Sequence, residues 1–338
     1  MKLSDGKLKH LKALSDSRGV IAAAAMDQRG SLKTAIAKAK GIDHDAVTPD
    51  MMSEFKVAVT KALTPHASAI LLDPEFGLPA AAARSANAGL LLAYEESGYD
   101  NTKPGRLPDL LPHLSVKRIA DMGGDAVKIL LYYNIHDAAN VNDIKQAFIE
   151  RIGSECEQEQ IPFFLEFVTY DPKGGGEKNL AFALAKPELV KGVMLEFSKP
   201  QYRVDVLKVE VPINAEFVEG SKVFKGEKAY TWKEALDHFR SAAEVTEKPF
   251  IYLSAGVDND VFIENLAMAA EAGTPYSGVL CGRATWKNGI PIYGKQGITA
   301  LEDWLADEGV KNINRVNEAI KPAKPWYTKY GLSAAALA

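Results

Sequence analysis

The sequence predicts an α/β protein built as a single (β/α)8 barrel, and three observations carry that expectation. Eight short apolar, β-branched or aromatic runs recur along the 338 residues, amphipathic stretches separate most of them, and no Ser/Gly-rich linker or composition break divides the chain. Strands buried on both faces and joined by right-handed crossover helices point to a closed barrel rather than an open doubly wound sheet. The expected domain is the whole chain, residues 1–338, with its core over about 18–320 and extra loops outside it.

In chain order the expected strands are Val20–Met26, Ala69–Leu72, Gly89–Tyr94, Ala126–Tyr132, Pro162–Thr169, Val206–Val211, Pro249–Ser254 and Ser277–Gly282. The third run precedes a long loop with Pro and Gly, Tyr99–Pro112, and also admits a helix. Apolar residues return at three- and four-residue steps over Pro49–Leu63, Ser115–Met122, Val141–Gln158, Trp232–Val245 and Val261–Ala272, which predicts helices there. Phe217–Lys228, rich in Gly and charge, is expected to be a loop on the active side. Residues beyond Pro322 are expected to form a short peripheral extension carrying Trp326 and Tyr327.

Composition narrows the function class. With 40 Lys plus Arg against 44 Asp plus Glu, a net charge of -4 and 47% hydrophobic residues, the chain is neither disordered nor fibrous, nor basic enough for a nucleic-acid partner. No apolar run approaches the roughly 20 residues of a membrane span. The start, MKLSDGKLKHLK, lacks a signal-peptide apolar region, and two cysteines, Cys156 and Cys281, make no disulfide framework. A cytoplasmic enzyme is the expectation. Barrels often associate through their helices, so a homo-oligomer is compatible with the sequence.

Three expected strands break the apolar rule near their middles. Lys128 sits in AVKILLY, Glu166 in FFLEFV and Lys208 in VLKVEV, with Glu210 as a second acid in the last. An unpaired ionised group in a barrel interior is costly, and three on consecutive strands meet in one space if all point inward. The plain alternative is a buried structural ion pair. Burial and a neighbouring cation both favour the neutral form of an amine, the form that attacks carbonyls, and a nearby carboxyl group can shuttle the protons that such chemistry needs. Asp27, in MDQRG, lies where strand one becomes a loop, a position that barrels use for catalysis and that turn-forming Asp also occupies. Asp73, before Pro74, is expected to be a turn-former.

The last two strands end in LSAGV and LCGRAT. Ser254, Gly256, Gly282 and Arg283 therefore read as a phosphate site at the position where this fold repeatedly builds one, the alternative being turn glycines. No histidine falls at an expected strand end or at ligand spacing, so no metal is expected, and no Gly-rich dinucleotide fingerprint follows the first strand.

The segments MDQRG, ILLDPEFGLP, LLLAYEESGYD, RLPDL, DAVKILLYY, ERIGSEC, IPFFLE, DVLKVEVP, YLSAGV and GVLCGRATW resemble the class I tagatose-1,6-bisphosphate aldolases, in order from about residue 10 to about residue 320. The resemblance implies a (β/α)8 barrel that needs no metal or other cofactor and whose partner is a phosphorylated sugar, a ketohexose bisphosphate cleaved to dihydroxyacetone phosphate and glyceraldehyde 3-phosphate. It implies Lys208 as the Schiff-base lysine, Glu166 as general acid/base, and Asp27 and Lys128 as the rest of the catalytic group. Ser254, Gly256, Gly282 and Arg283 would hold the phosphate of the ketone half, and Gln28 and Arg29 would meet substrate hydroxyls or the other phosphate. Asp171–Lys178, Gly226–Lys228 and the tail beyond Lys324 depart from the family pattern. Strand-end loops choose substrates, so fructose 1,6-bisphosphate or a sulfofructose 1-phosphate stays open, as does a non-catalytic barrel acting as a metabolite sensor.

Overall fold

In the computed structural model, which describes residues 3–100 and 102–337, eight parallel strands close into a barrel. They are β1 (Ile21–Met26), β2 (Ala69–Leu72), β3 (Gly89–Ala93), β4 (Ala126–Tyr132), β5 (Phe163–Val168), β6 (Val206–Val209), β7 (Phe250–Leu253) and β8 (Gly278–Cys281). Each pairs with its sequence neighbours, and β1 closes the ring on β8 with Ala23 opposite Leu280. The third run is a strand, buried along its whole length. It is followed by the expected loop, of which position 101 lies outside the described residues, as do positions 1 and 2 of the chain start.

Helices cover the outside. While α1 (Asp5–Ala13) lies under the strand starts, those around the barrel include α2 (Gly30–Lys40) and α3 (Pro49–Leu63), then α4 (Leu78–Ala83), α5 (Val116–Asp121), α6 (Ala139–Gln158), α7 (Leu180–Phe197), α8 (Trp232–Ala243) and α9 (Asn259–Glu271) in the later connections. Their starts are written locally. Thr48 accepts from the Met51 amide with Pro49 in the first turn, and Thr231 forms a reciprocal capping box with Glu234. Strand ends differ from the expected ones by a residue or two. The largest case is β6, which leaves the ladder at Val209, so that Glu210 instead accepts from the Thr169 amide and hydroxyl, both at 2.8 Å. Phe217–Lys228 is a loop whose start, Val218–Glu219, pairs with Tyr230–Thr231.

The C-terminal extension is not peripheral, and that expectation is corrected. Trp326 is fully buried and packs with Leu11 and Leu14 of the N-terminal segment against Ile21, Ala69, Leu91, Ala126, Val206 and Ile251 at the start of the strands. Its amide donates to the Gly19 carbonyl at 2.9 Å and its indole Nε1 to Ser15 Oγ at 3.0 Å. The bottom of a barrel is an open apolar ring, and two aromatics from the chain end cover it. No helix among the described residues is long and apolar enough to cross a membrane.

Candidate active site

The alternation of each strand turns Lys128, Leu130 and Tyr132 of β4, Glu166 and Val168 of β5, and Lys208 of β6 with Glu210 just beyond it, into a cavity of about 1110 Å³ at the C-terminal end of the barrel. Lys128 Nζ lies 2.8 Å from Asp27 Oδ2, 2.8 Å from Glu95 Oε1 and 2.9 Å from Glu166 Oε2. Lys208 Nζ lies 2.7 Å from the same Glu166 oxygen. Glu166 therefore bridges the two amines, and the four residues expected to be catalytic share one cluster.

The charges settle one another. Burial pushes the Asp27 carboxyl up, but Lys128 and then Lys208 outweigh it and hold the group well below the usual carboxylate range. Burial also opposes ionisation of Glu166, and Lys128 and Lys208 again win, leaving its pKa lowered although Asp27 pushes the other way. For Lys128 burial disfavours the charge, while Asp27, Glu166 and Glu95 together raise its pKa well above the ordinary ammonium value. Lys128 is thus a fixed cation. Three carboxylates around it offset the repulsion expected between two lysines.

Glu95 is the member that sequence reasoning missed. It follows β3 as Asp27 follows β1, an acid at a strand end, and that shared position is the signal that could have found it. Its chain is pinned. Glu95 forms a bridge with Leu110, its carbonyl accepts from Arg29 Nη2 at 2.7 Å, and the next amide, of Glu96, donates to the Asp109 carbonyl at 2.9 Å. Arg29 Nη1 also donates to Glu75 at 2.7 Å, so most of this guanidinium is occupied; its Nε and Gln28 Oε1 are buried without partners. A second missed residue is Lys56, fully buried, which donates to the carbonyls of Met26 and Gln28 at 2.7 and 2.8 Å and pairs with Asp73 at 2.5 Å. It fixes the backbone on either side of Asp27. Asp73 does form the expected turn, accepting from the Phe76 amide at 2.8 Å, and is also this ammonium's counter-ion.

Across the cavity, Ser254, Gly256, Gly282 and Arg283 line the mouth above β7 and β8. Gly256 has φ +76° and lies so close to the Arg283 guanidinium that a Cβ would stand 2.7 Å from Cζ; a side chain there would displace the arginine. At Gly282 a Cβ would meet the Ala25 carbonyl oxygen at 3.0 Å. Both positions are therefore constrained beyond ordinary turn glycines. Cys156 and Cys281 are buried, and none of the six histidines lines the cavity. Among the described residues no group of three or more His, Cys, Asp or Glu side chains is placed to hold a metal ion.

Residues 21–288 match the model of the DeoC/LacD family aldolases. The chain is 51% identical over 332 residues to a tagatose 1,6-diphosphate aldolase of Listeria monocytogenes, covering 98% of this chain and 96% of that one. It is 52% identical to tagatose 1,6-diphosphate aldolase 2 of Enterococcus faecalis, with 97% of each chain covered. Among solved structures, fructose-bisphosphate aldolase from Plasmodium falciparum superposes with a TM-score of 0.66 at 13% identity, over 96% of this chain and 97% of that one. A Schiff base-forming fructose-1,6-bisphosphate aldolase gives a TM-score of 0.56 at 12% identity, over 92% and 98%. At such identities the likeness bears on the fold alone.

Proposed function

We propose that this chain, which belongs to the DeoC/LacD aldolase family, is a class I aldolase that cleaves tagatose 1,6-bisphosphate to dihydroxyacetone phosphate and glyceraldehyde 3-phosphate through a Schiff base on Lys208. The observation that carries the chemistry is one carboxylate, Glu166, shared between a fixed cation and a second amine inside a substrate-sized cavity. Such an arrangement can move protons on and off one lysine while the other holds the carboxylate in place.

Glu166 takes a proton from Lys208, whose amine adds to the C2 ketone. The same carboxyl group returns the proton to the carbinolamine oxygen, and water leaves. The iminium then draws the C3–C4 bonding electrons as the C4 hydroxyl loses its proton, and glyceraldehyde 3-phosphate departs. Protonation of the enamine at C3 and hydrolysis release dihydroxyacetone phosphate. Asp27 orients Lys128 and the substrate hydroxyls. Ser254, Arg283 and the backbone at Gly256 and Gly282 are assigned to the ketone-side phosphate, Gln28 Oε1 to accept from a substrate hydroxyl, and Arg29 Nε to donate to a hydroxyl or the second phosphate.

Borohydride added with dihydroxyacetone phosphate tests this directly. The expected product is a reduced adduct on the peptide containing Lys208, found by mass spectrometry. An adduct elsewhere, or none, overturns the assignment. Turnover on tagatose, fructose and sulfo-sugar phosphates, compared as pure substrates, tests the choice of sugar.

A further inference from the structure

We propose that Glu95 receives the proton of the substrate's C4 hydroxyl as the C3–C4 bond breaks, an assignment that rests on the aldolase reading above. Glu95 is 4% exposed, and its Oε2 is buried with no hydrogen-bond partner, whereas Oε1 is taken by Lys128 at 2.8 Å. A carboxylate oxygen left without a donor in a dry site is unfavourable, and such an oxygen beside a cavity is a receptor for a ligand's O–H. The neighbouring carboxylates are already engaged by the two lysines. Asp27 uses Oδ2 for Lys128 and Oδ1 for the Gln28 amide, and Glu166 Oε2 serves both lysines.

Position around the ring gives the substrate atom. The ketone-side phosphate is assigned to the ends of β7 and β8 and C2 to Lys208 on β6, so the rest of the sugar runs across the mouth, toward the loops after β1 and β3. Glu95 stands there, lining the cavity, with its backbone held by Arg29 and Leu110 so that the acceptor is in place beforehand. In the step itself, C4–O–H gives its proton to Oε2 and the O–H electrons form the C4=O bond. The C3–C4 pair forms the enamine double bond, and the C=N electrons return to the Lys208 nitrogen. Glu95 hands the proton to solvent once the aldehyde has left.

Glu95→Gln keeps the shape and an acceptor for Lys128 but cannot take a proton. The expected result is a fall of about a hundredfold or more in cleavage of the bisphosphate. Exchange of the C3 proton of dihydroxyacetone phosphate with solvent, which needs only the ketone half, should stay within about threefold, as should the borohydride adduct. Glu95→Asp, which keeps the charge but withdraws the acceptor by one methylene, should lower the ratio of cleavage to exchange by about tenfold, and serves if the first variant does not fold. Equal loss of cleavage and exchange, or unchanged cleavage, overturns the assignment. A wild-type protein that forms no adduct overturns the underlying aldolase reading instead.

Discussion

The two ends of this barrel solve opposite problems with the same strands. At the C-terminal mouth, Asp27, Glu95, Lys128, Glu166 and Lys208 form a charged cluster around a cavity of about 1110 Å³. At the floor, α1 and the chain end bury Leu11, Leu14 and Trp326 over the strand starts, and the charge there centres on one buried carboxylate, Asp205, whose Oδ2 lies 2.7 Å from Lys7 Nζ and which also feels the buried Lys248. Charges in the mouth are numerous and mutually compensated, an arrangement retained at a stability cost where chemistry needs it, whereas the floor is apolar packing. Activity should therefore depend on the mouth and stability on the floor.

The largest expected effect breaks the mouth alone. Lys208→Ala removes the amine that shares Glu166 with Lys128, and steady-state cleavage should drop by on the order of 10⁴-fold or more. Thermal unfolding should shift little, because Glu166 keeps Lys128 as its partner. Cleavage retained at an ordinary rate would defeat both the assignment and the contrast between the two ends.

Trp326→Ala is the reciprocal test. A fully buried indole is removed from the floor, and a loss of about 3–5 kcal/mol in unfolding free energy is expected from urea titration. At a temperature where the variant is folded, kcat should remain within about twofold of wild type. A large fall in kcat with unchanged stability would mean that the floor is coupled to the chemistry.

Acid sharpens the comparison, because the two ends carry linkage of opposite sign. In the mouth, Lys128 and Lys208 overcome burial to lower the Asp27 pKa from its ordinary 3.8. Its contribution to stability is present above about pH 4 and is lost as pH falls through the lower folded value. On the floor, burial outweighs Lys7 and raises the Asp205 pKa from 3.8, so protonation favours the folded state and this group adds stability as pH falls through the raised value. Urea unfolding of wild type, Asp27→Asn and Asp205→Asn between pH 7 and pH 3 should show this. Wild type should lose on the order of 1 kcal/mol relative to the Asp27 variant and gain stability relative to the Asp205 variant. Slopes of the same sign would refute the assignment of the two environments.

The same division explains what could be read from the sequence. Strands were legible because β-branched and apolar runs of four to seven residues must be buried on both faces, and Lys128, Glu166 and Lys208 were legible because each breaks such a run. Glu95 was harder to see. It stands just outside its strand, where acids are common in turns, and only the fold brings it to Lys128. Lys56 was hidden in an ordinary amphipathic helix, as a charge that the pattern would place outside. Trp326 was misplaced because a tail of mixed composition carries no period, and its burial follows from the open ring beneath the strands, which is a property of the closed barrel.

The smallest effect is expected where the mouth meets the core. Cys281 ends β8 beside Ser254, one residue from Gly282, so an exposed thiol there would alkylate and block the assigned phosphate site. Burial instead pushes its pKa up to about 12, the Ser254 hydrogen bond only partly opposing it. At pH 8 that leaves about 0.01% thiolate, against about a quarter for an unperturbed thiol. Native protein treated with iodoacetamide should keep its activity and its Cys281 unmodified, while protein unfolded in urea reacts at both cysteines within the same time. Rapid native labelling at Cys281 with loss of cleavage would show that the cavity wall at β8 opens to solvent, and the boundary between the charged mouth and the dry interior would then lie deeper in the barrel.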